Sequence, residues 1–291
     1  MKLFTALWKS ARPYQWPKNF LVFAALIFSK HLLDFDLVLK NFWGFLLFCL
    51  TSSSLYLLND AVDYASDKKH PLKSQRPVAS GQLSRSFALG FSIFGVIASL
   101  GLGYWLQPLF ALGLALYLAT NLIYSFYFKH FVILDAMLLA LGFVLRAVSG
   151  GWLIGAPISD WLVICTLLLS LFLGFSKRRA ELVLLEGEAK SHRASLEYYS
   201  PYLLDQLIGV VTASTVVAYT FYTLSPEVKE KLGSTHLYLT VPFVMFGIFR
   251  YLYLVHQKTE GGDPTKTIFT DLPLVLGIIL WGGAVFLLIY R

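Results

Sequence analysis

Long apolar stretches recur along the whole chain and limit its fold more strictly than any other feature. Each is about long enough, as a helix, to cross a hydrocarbon core of roughly 30 Å. Because backbone polar groups in lipid must bond within their own segment, helices are the structure that fits these stretches. The sequence predicts an all-α polytopic membrane protein, a single domain over residues 1–291. Its bundle has about nine transmembrane helices, at about 17–33, 38–58, 84–104, 108–127, 131–152, 158–176, 206–224, 237–256 and 271–290.

The composition excludes most other classes of protein. Of the 291 residues, 57% are hydrophobic and 14% are charged, whereas an ordinary soluble domain has about a quarter charged residues. A soluble globule, a disordered chain and a secreted disulfide scaffold are therefore excluded. Cys49 and Cys165 both lie inside apolar stretches, which is typical of small packed core residues rather than of a disulfide or a metal pair.

The distribution of basic residues predicts the orientation in the membrane. Most of the 24 lysine and arginine residues fall in the N-terminal segment and in the loops that follow even-numbered helices. Cytoplasmic loops carry such an excess, so the N-terminus is predicted to be cytoplasmic and, after nine crossings, the C-terminus outside. Two long cytoplasmic loops, about 59–83 and 177–205, carry both signs of charge and are expected to lie over the active site. The net charge of +7 thus reflects topology, and no nucleic-acid partner is expected.

An acidic segment directly follows the second apolar stretch. It runs Asn-Asp-Ala-Val-Asp-Tyr-Ala-Ser-Asp from Asn59 to Asp67. If the helix continues, Asp60, Asp63 and Asp67 are spaced i, i+3 and i+7 and share one face. Three carboxylates at a membrane boundary repel one another without a cation, and Mg²⁺ takes oxygen ligands from carboxylates, water and phosphate. The segment therefore predicts a Mg²⁺–diphosphate site, with a solvated acidic helix end as the alternative.

Cations follow the acidic segment within a turn-rich loop. Pro71 is expected to end the helix, which places Lys73 and Arg76 beside the acidic face. Carboxylates for a metal, followed by cations for phosphate, suit a diphosphate substrate. The alternative is that these cations only serve membrane orientation.

Four further polar residues lie near or inside the predicted helices. Tyr124, Lys129 and Asp135 bracket the junction of the fourth and fifth helices. Lys129 is interpreted as a phosphate ligand, with interfacial snorkelling as the alternative, and Asp135 is shallow enough to reach the site. Arg146 lies deeper, where charges usually face a cavity or a partner. At this position Arg146 could either pair with other polar groups of the protein or contact a lipid phosphate, and both alternatives remain open.

These motifs resemble the UbiA superfamily of intramembrane prenyltransferases. The pattern Asn-Asp-x-x-Asp-x-x-x-Asp at the end of the second helix carries the resemblance to the superfamily. Two further strings are similar to one branch of it, the decaprenyl-phosphate phosphoribosyltransferases: His-Pro-x-Lys-x-x-Arg-Pro from His70, and Lys-Arg-x-Ala-Glu from Lys177. The resemblance covers essentially the whole chain.

The resemblance implies a pentosyltransferase of the bacterial plasma membrane that serves cell-wall biosynthesis. Its donor would be 5-phosphoribosyl 1-diphosphate, its acceptor a polyprenyl phosphate such as decaprenyl phosphate, and its cofactor Mg²⁺. Asp60, Asp63 and Asp67 are then the metal ligands and the catalytic residues. The residues expected to bind substrate are Asn59, Lys73, Arg76, Tyr124, Lys129, Asp135, Lys177, Arg178 and Glu181.

One segment departs from the wider superfamily. Prenyl-diphosphate enzymes of the superfamily carry a second aspartate-rich motif after the sixth helix, whereas this chain has a mostly basic strip there: Lys177, Arg178, Arg179, Glu181 and Arg193. Such a strip suits a donor and an acceptor that both carry phosphate. The alternative function is a prenyltransferase with a prenyl diphosphate donor and an aromatic or quinone-like acceptor. A transporter fits less well, because the charge gathers at one surface rather than at mid-membrane depth. The oligomeric state stays open, a homo-oligomer included.

Overall fold

The computed structural model describes residues 2–69, 73–184, 194–258 and 262–290. Within these ranges the chain folds into α-helices joined by turns and short 3₁₀ helices, with no β-strand. The α-helices are α1 Lys2–Ala11, α2 Ala24–Phe28, α3 Phe35–Val62, α4 Tyr64–Asp67, α5 Arg85–Leu106, α6 Pro108–Phe126, α7 Leu134–Ile154, α8 Asp160–Leu184, α9 Pro201–Leu224, α10 Pro226–Leu232, α11 Val241–Gln257, α12 Pro264–Thr270 and α13 Leu272–Tyr290. The 3₁₀ helices are Pro13–Phe23, Lys73–Gln75, Phe128–His130, Ala194–Tyr198 and Leu237–Thr240.

Eight helical segments of the described chain are long and apolar enough to cross a membrane. They correspond to the second to ninth predicted stretches, and the predicted all-α membrane fold is confirmed. The first stretch, 17–33, instead forms the end of the 3₁₀ helix Pro13–Phe23 followed by the five residues of α2. Pro17 lies inside that 3₁₀ helix, where its missing backbone N–H and its ring disfavour an α-helix.

Side-chain caps begin several of the membrane-length helices, and Asp271 caps α13 through the backbone N–H of Leu274. Asp34 accepts a hydrogen bond from the backbone N–H of Leu37 at the start of α3. Ser84 and Ser200 do the same for the third helical residue of α5 and α9. Because the first N–H groups of a helix have no intrahelical partner, such caps fix where each helix begins.

The chain divides into two compact units. Unit 1 comprises Met1–Leu26, Asp34–Ser125 and Leu145–Ala156, and unit 2 comprises Ile27–Leu33, Phe126–Val144 and Pro157–Arg291. In unit 1, α3 packs against α5 and against the 3₁₀ helix Pro13–Phe23. In unit 2, α8 packs along α9, and α11 packs against α13.

A polar network lies deep within unit 1. Arg146 is 5% exposed, and its Nε donates to Asn19 Oδ1 at 2.7 Å while its Nη2 donates to Tyr117 Oη at 2.7 Å. Asn19 in turn lies within hydrogen-bond distance of Ser52 Oγ and Cys49 Sγ, at 3.3 Å each. A buried charge needs such partners, so this geometry favours the structural pairing of Arg146 over a contact with a lipid phosphate.

The sixth predicted helix is longer than expected. It was predicted to end near residue 176, whereas α8 continues to Leu184. Lys177, Arg178, Arg179 and Glu181 are therefore helical residues and not loop residues. Lysine, arginine and glutamate are good helix formers, so the apolar stretch ends at residue 176 but the helix does not.

Candidate active site

The helix that carries the acidic segment breaks within it. α3 ends at Val62, Asp63 lies in a turn with φ −80° and ψ 5°, and α4 begins at Tyr64. The shared face of the three aspartates was predicted for a helix that continues through the segment, and this condition is not met. Within the described ranges, the side chain of Asp63 makes no ion pair, unlike those of Asp60 and Asp67.

Asp60 and Asp67 nevertheless converge on the same arginine. Nη1 of Arg76 lies 3.2 Å from Asp60 Oδ1 and 2.7 Å from Asp67 Oδ2. The two aspartates are 1% and 3% exposed. Arg12 adds a second guanidinium, whose Nη2 donates to Asp60 Oδ1 at 2.5 Å. Burial makes unpaired carboxylates costly, and the two arginines offset that cost.

The Asp60–Asp67 pair fits a magnesium ion. No group of three or more His, Cys, Asp or Glu side chains suited to a metal occurs in the part of the chain that the structure describes. Mg²⁺, however, is usually bound by one or two carboxylates, with water and substrate phosphate oxygens completing its coordination. Two buried carboxylates that already reach one cationic nitrogen match that donor set.

Both arginines keep donors for an anionic ligand. A guanidinium has five N–H donors, and Arg76 uses only Nη1 in the hydrogen bonds formed with described residues. Its side chain is 29% exposed and that of Arg12 is 21% exposed. Arg12 lies with its Cζ 4.8 Å from the ring centroid of Tyr56, which orients its planar group. The acidic pair therefore borders donors suited to phosphate oxygens.

The sequence does not indicate that Arg12 belongs to this candidate site, because it is one of several basic residues of the N-terminal segment. Forty-eight residues separate Arg12 from Asp60, and no periodic pattern connects positions so far apart. The one local signal is Pro13, because a residue before proline is disfavoured in helix; Arg12 adopts φ 52° and ψ 58° at the end of α1.

The other residues predicted in unit 1 lie on three elements. Asn59 is in the last turn of α3, where its backbone carbonyl accepts from Asp63 N–H at 2.8 Å. Lys73 lies on the 3₁₀ helix Lys73–Gln75. Tyr124 lies in the last turn of α6 and is partly buried.

Unit 2 holds a second polar cluster, formed by Asp135, Arg178 and Tyr199. Nε of Arg178 donates to Asp135 Oδ2 at 2.9 Å, and Nη2 lies 2.8 Å from the same oxygen. Tyr199 Oη donates to Asp135 Oδ1 at 2.9 Å. Arg178 and Asp135 are both 0% exposed, so the predicted ligands Arg178 and Asp135 are paired with each other. Burial raises the pKa of Tyr199 to about 12, so its hydroxyl stays protonated and able to donate.

The turn before α7 carries a strained residue. Ile133 has φ 69°, and the N–H of Leu134 donates to the carbonyl of Val132 at 2.8 Å. This i→i+2 bond around a positive φ is a strained γ-turn, and a β-branched residue with positive φ is an outlier that costs about 1–3 kcal/mol. The N–H of Ile133 donates to Tyr199 Oη at 2.7 Å.

The remaining predicted cations of unit 2 differ in their surroundings. Lys129 lies on the 3₁₀ helix Phe128–His130, is partly buried and has no ion pair with any residue that the structure describes. Lys177 Nζ lies 3.6 Å from Glu181 Oε1, and the Lys177 side chain is 41% exposed. Arg179 pairs with Asp205. Arg193 lies outside the described residues.

Comparison with known proteins identifies the family of the chain. The model of the UbiA prenyltransferase family matches residues 19–288. The chain belongs to the UbiA prenyltransferase family. A relative from Mycolicibacterium smegmatis, named decaprenyl-phosphate phosphoribosyltransferase, is 33% identical over 99% of this chain and 93% of its own length. A relative of the same name from Corynebacterium glutamicum is 32% identical over 97% of this chain and 86% of its own length. The predicted resemblance is confirmed for the family and the branch, and with it the prediction of an enzyme of the transferase class.

Solved structures of UbiA homologues share the fold. A UbiA homologue from Archaeoglobus fulgidus bound to DMAPP and Mg²⁺ aligns with a TM-score of 0.72, at 18% identity, over 98% of this UbiA-family chain and 99% of the other. The same homologue bound to GPP and Mg²⁺ gives the same TM-score over 98% of this chain and 100% of the other. This chain is accordingly an integral membrane protein with a UbiA-like fold.

Proposed function

We propose that this UbiA-family enzyme transfers 5-phosphoribose from 5-phosphoribosyl 1-diphosphate to a polyprenyl phosphate and releases diphosphate. The observation that carries the proposal is the sign of the charges that the candidate site residues of each unit offer to a substrate. Unit 1 offers two buried carboxylates for a metal, whereas unit 2 offers the cations Lys129 and Lys177 and no second aspartate-rich motif. A prenyl diphosphate with a neutral acceptor carries no phosphate beyond the diphosphate assigned to the acidic pair, so these cations would have no phosphate of their own to bind. The names of the relatives support the same donor and acceptor.

The acidic pair is assigned to the diphosphate of the donor. Asp60 and Asp67 would hold Mg²⁺, which when bound neutralises negative charge on the leaving group. The free N–H groups of Arg76 and Arg12 would donate to diphosphate oxygens, and such charge-assisted hydrogen bonds orient the group. These interactions would hold the bond between C1 of ribose and the diphosphate oxygen in one orientation.

The transfer itself needs little acid–base chemistry. An oxygen of the lipid phosphate, anionic at neutral pH, attacks C1 from the face opposite the diphosphate. The new C1–O bond forms as the old one breaks, and the electron pair leaves with diphosphate, so no proton has to move in this step. The protein contributes mainly position and electrostatic stabilisation of the charge that develops on the leaving group.

The cations of unit 2 are assigned to phosphate monoesters. The donor carries a 5-phosphate in addition to its diphosphate, and the acceptor lipid carries its own phosphate. Lys129 and Lys177 are both partly exposed, so a substrate phosphate could reach them. Arg178 is given a different role from the one the sequence suggested, because its guanidinium is fully buried against Asp135.

We further propose that the protein lies in the plasma membrane of a bacterium and that its active site faces the cytoplasm. The N-terminus would be cytoplasmic, and the C-terminus outside if segment 13–28 counts as the first crossing. The basic residues of the N-terminus and the even-numbered loops support this orientation.

The decisive experiment is a transfer assay with purified protein. Radiolabelled 5-phosphoribosyl 1-diphosphate, Mg²⁺ and polyprenyl phosphate should yield label that extracts into organic solvent, and EDTA should abolish it. A protein that ignores this donor but transfers a prenyl group from a prenyl diphosphate to an aromatic acid would contradict the proposal and leave the fold unaffected.

A further inference from the structure

The segment that carries Lys129 ends in a strained turn that a distant residue holds in place. Ile133 is 40% exposed, so its own side-chain packing does not account for its positive φ. Strained backbone persists only where the surroundings fix it. The hydrogen bond from Ile133 N–H to Tyr199 Oη, 2.7 Å long, supplies such a constraint from a residue 66 positions later in the chain.

Tyr199 is itself firmly anchored. It is 5% exposed, and its hydroxyl donates to Asp135 Oδ1 while accepting from Ile133. The other oxygen of Asp135 is held by Arg178 of α8. One phenol therefore connects the strained turn, the first turn of α7 and, through Asp135, the buried arginine that directly follows Lys177.

The two lysines assigned to phosphate lie on elements that are joined to Tyr199 or to Arg178. The 3₁₀ helix Phe128–His130, which carries Lys129, packs against the 3₁₀ helix Ala194–Tyr198, which ends directly before Tyr199. Lys177 is the neighbour of Arg178 on α8. Displacing the turn at Ile133 would therefore move Lys129 relative to Lys177.

We propose that Tyr199 is a positioning residue for phosphate binding: its hydroxyl fixes the γ-turn at Ile133 and thereby sets Lys129 and Lys177 at the spacing that a phosphate monoester requires. The proposal rests on the assignment of these lysines to phosphate under the proposed function. The phosphate can be the 5-phosphate of the donor or the phosphate of the lipid, and the two are separated by measuring each substrate in turn.

The first test is Tyr199→Phe, with Tyr198→Phe as its matched control. Tyr198 is adjacent but 67% exposed. Tyr199→Phe removes the hydrogen bonds to Ile133 and to Asp135. Loss of the one that fixes the turn should raise KM for the substrate whose phosphate the lysines bind by about 3- to 10-fold, with kcat nearly unchanged. Tyr198→Phe should leave both constants as in the native enzyme. A merely structural role would instead lower the melting temperature and the active fraction, and leave KM unaltered.

The second test asks whether Tyr199 acts through the turn. Glycine adopts positive φ without steric cost, so in an Ile133→Gly background the turn needs less support. Tyr199→Phe should then change KM by less than about 2-fold, because residues that act through one another show non-additive effects. If Tyr199→Phe changes KM by the same factor in the native protein and in the Ile133→Gly variant, the proposal is overturned.

A binding measurement separates this proposal from the proposed function. The native protein, Lys129→Ala and Tyr199→Phe are each titrated with ribose 5-phosphate. Separate titrations measure their affinity for a short-chain polyprenyl phosphate. At least one affinity should fall in both variants. If all three proteins bind each ligand equally, the positioning role is wrong, whether or not phosphoribose is transferred. If binding depends on Lys129 and Tyr199 but no label reaches the lipid, only the proposed function is wrong.

Discussion

Asp60 and Asp67 are seven residues apart on two different helices, yet a single arginine nitrogen contacts both. This geometry ranks the three aspartates differently from the sequence pattern. Under the proposed function, Asp60→Asn and Asp67→Asn should each lower turnover by about 10²-fold or more, since each would remove charge and a metal ligand next to the leaving group. Asp63→Asn should cost less than about 10-fold, because Asp63 lies outside the pair, and this is measured as initial rate at saturating Mg²⁺.

Asp36 provides the control for this series. It is an exposed aspartate in the first turn of the same helix, α3, and Asp36→Asn should leave turnover unchanged. Equal losses for Asp63→Asn and Asp60→Asn would mean that all three carboxylates act together in the working enzyme.

At the residue scale, the sequence indicates which residue types could form a site but not which residues contact one another. The acidic motif, Arg76 and Lys129 follow from residue type and spacing. The pairing of Asp135 with Arg178 joins positions 43 residues apart, and that of Arg12 with Asp60 joins positions 48 apart. Such contacts depend on how helices pack, so no local pattern contains them.

Among the elements, α8 shows most clearly what an apolar pattern can and cannot predict. Hydropathy marks where lipid contact ends, and eight predicted stretches match membrane-length helices of the described chain. It does not report backbone hydrogen bonding, so it missed both the continuation of α8 to Leu184 and the 3₁₀ form of Pro13–Phe23. The break at Asp63 was missed for the same reason.

The C-terminal part of α8 carries two adjacent cations with different predicted roles. Arg178→Ala removes the cation that pairs with the buried carboxylate of Asp135, which should destabilise the protein by about 3–5 kcal/mol. Lys177→Ala removes a solvent-exposed pair with Glu181 and should cost less than about 1 kcal/mol, while raising KM for a phosphate-bearing substrate about 10-fold. Thermal unfolding and steady-state kinetics on both variants separate the two roles.

A double replacement serves as the control. Asp135→Leu combined with Arg178→Leu removes both buried charges and should be less destabilising than Arg178→Ala alone. If Arg178→Ala unfolds like the native protein but raises KM, then Arg178 binds substrate and the pairing with Asp135 is dispensable.

For the whole molecule, the remaining question is which side of the membrane the acidic pair faces. Gln75, exposed on the 3₁₀ helix Lys73–Gln75, and Glu230, exposed on α10, lie in connections predicted to be on opposite sides. Gln75→Cys should react with a membrane-impermeant thiol reagent only after cell lysis, whereas Glu230→Cys should react in intact cells. The native cysteines lie within the helices α3 and α8, and the parent chain measures their background. Because 5-phosphoribosyl 1-diphosphate is a polyanion that does not cross a bilayer unaided, labelling of Gln75→Cys in intact cells would reverse the topology and remove the donor from reach of Asp60 and Asp67.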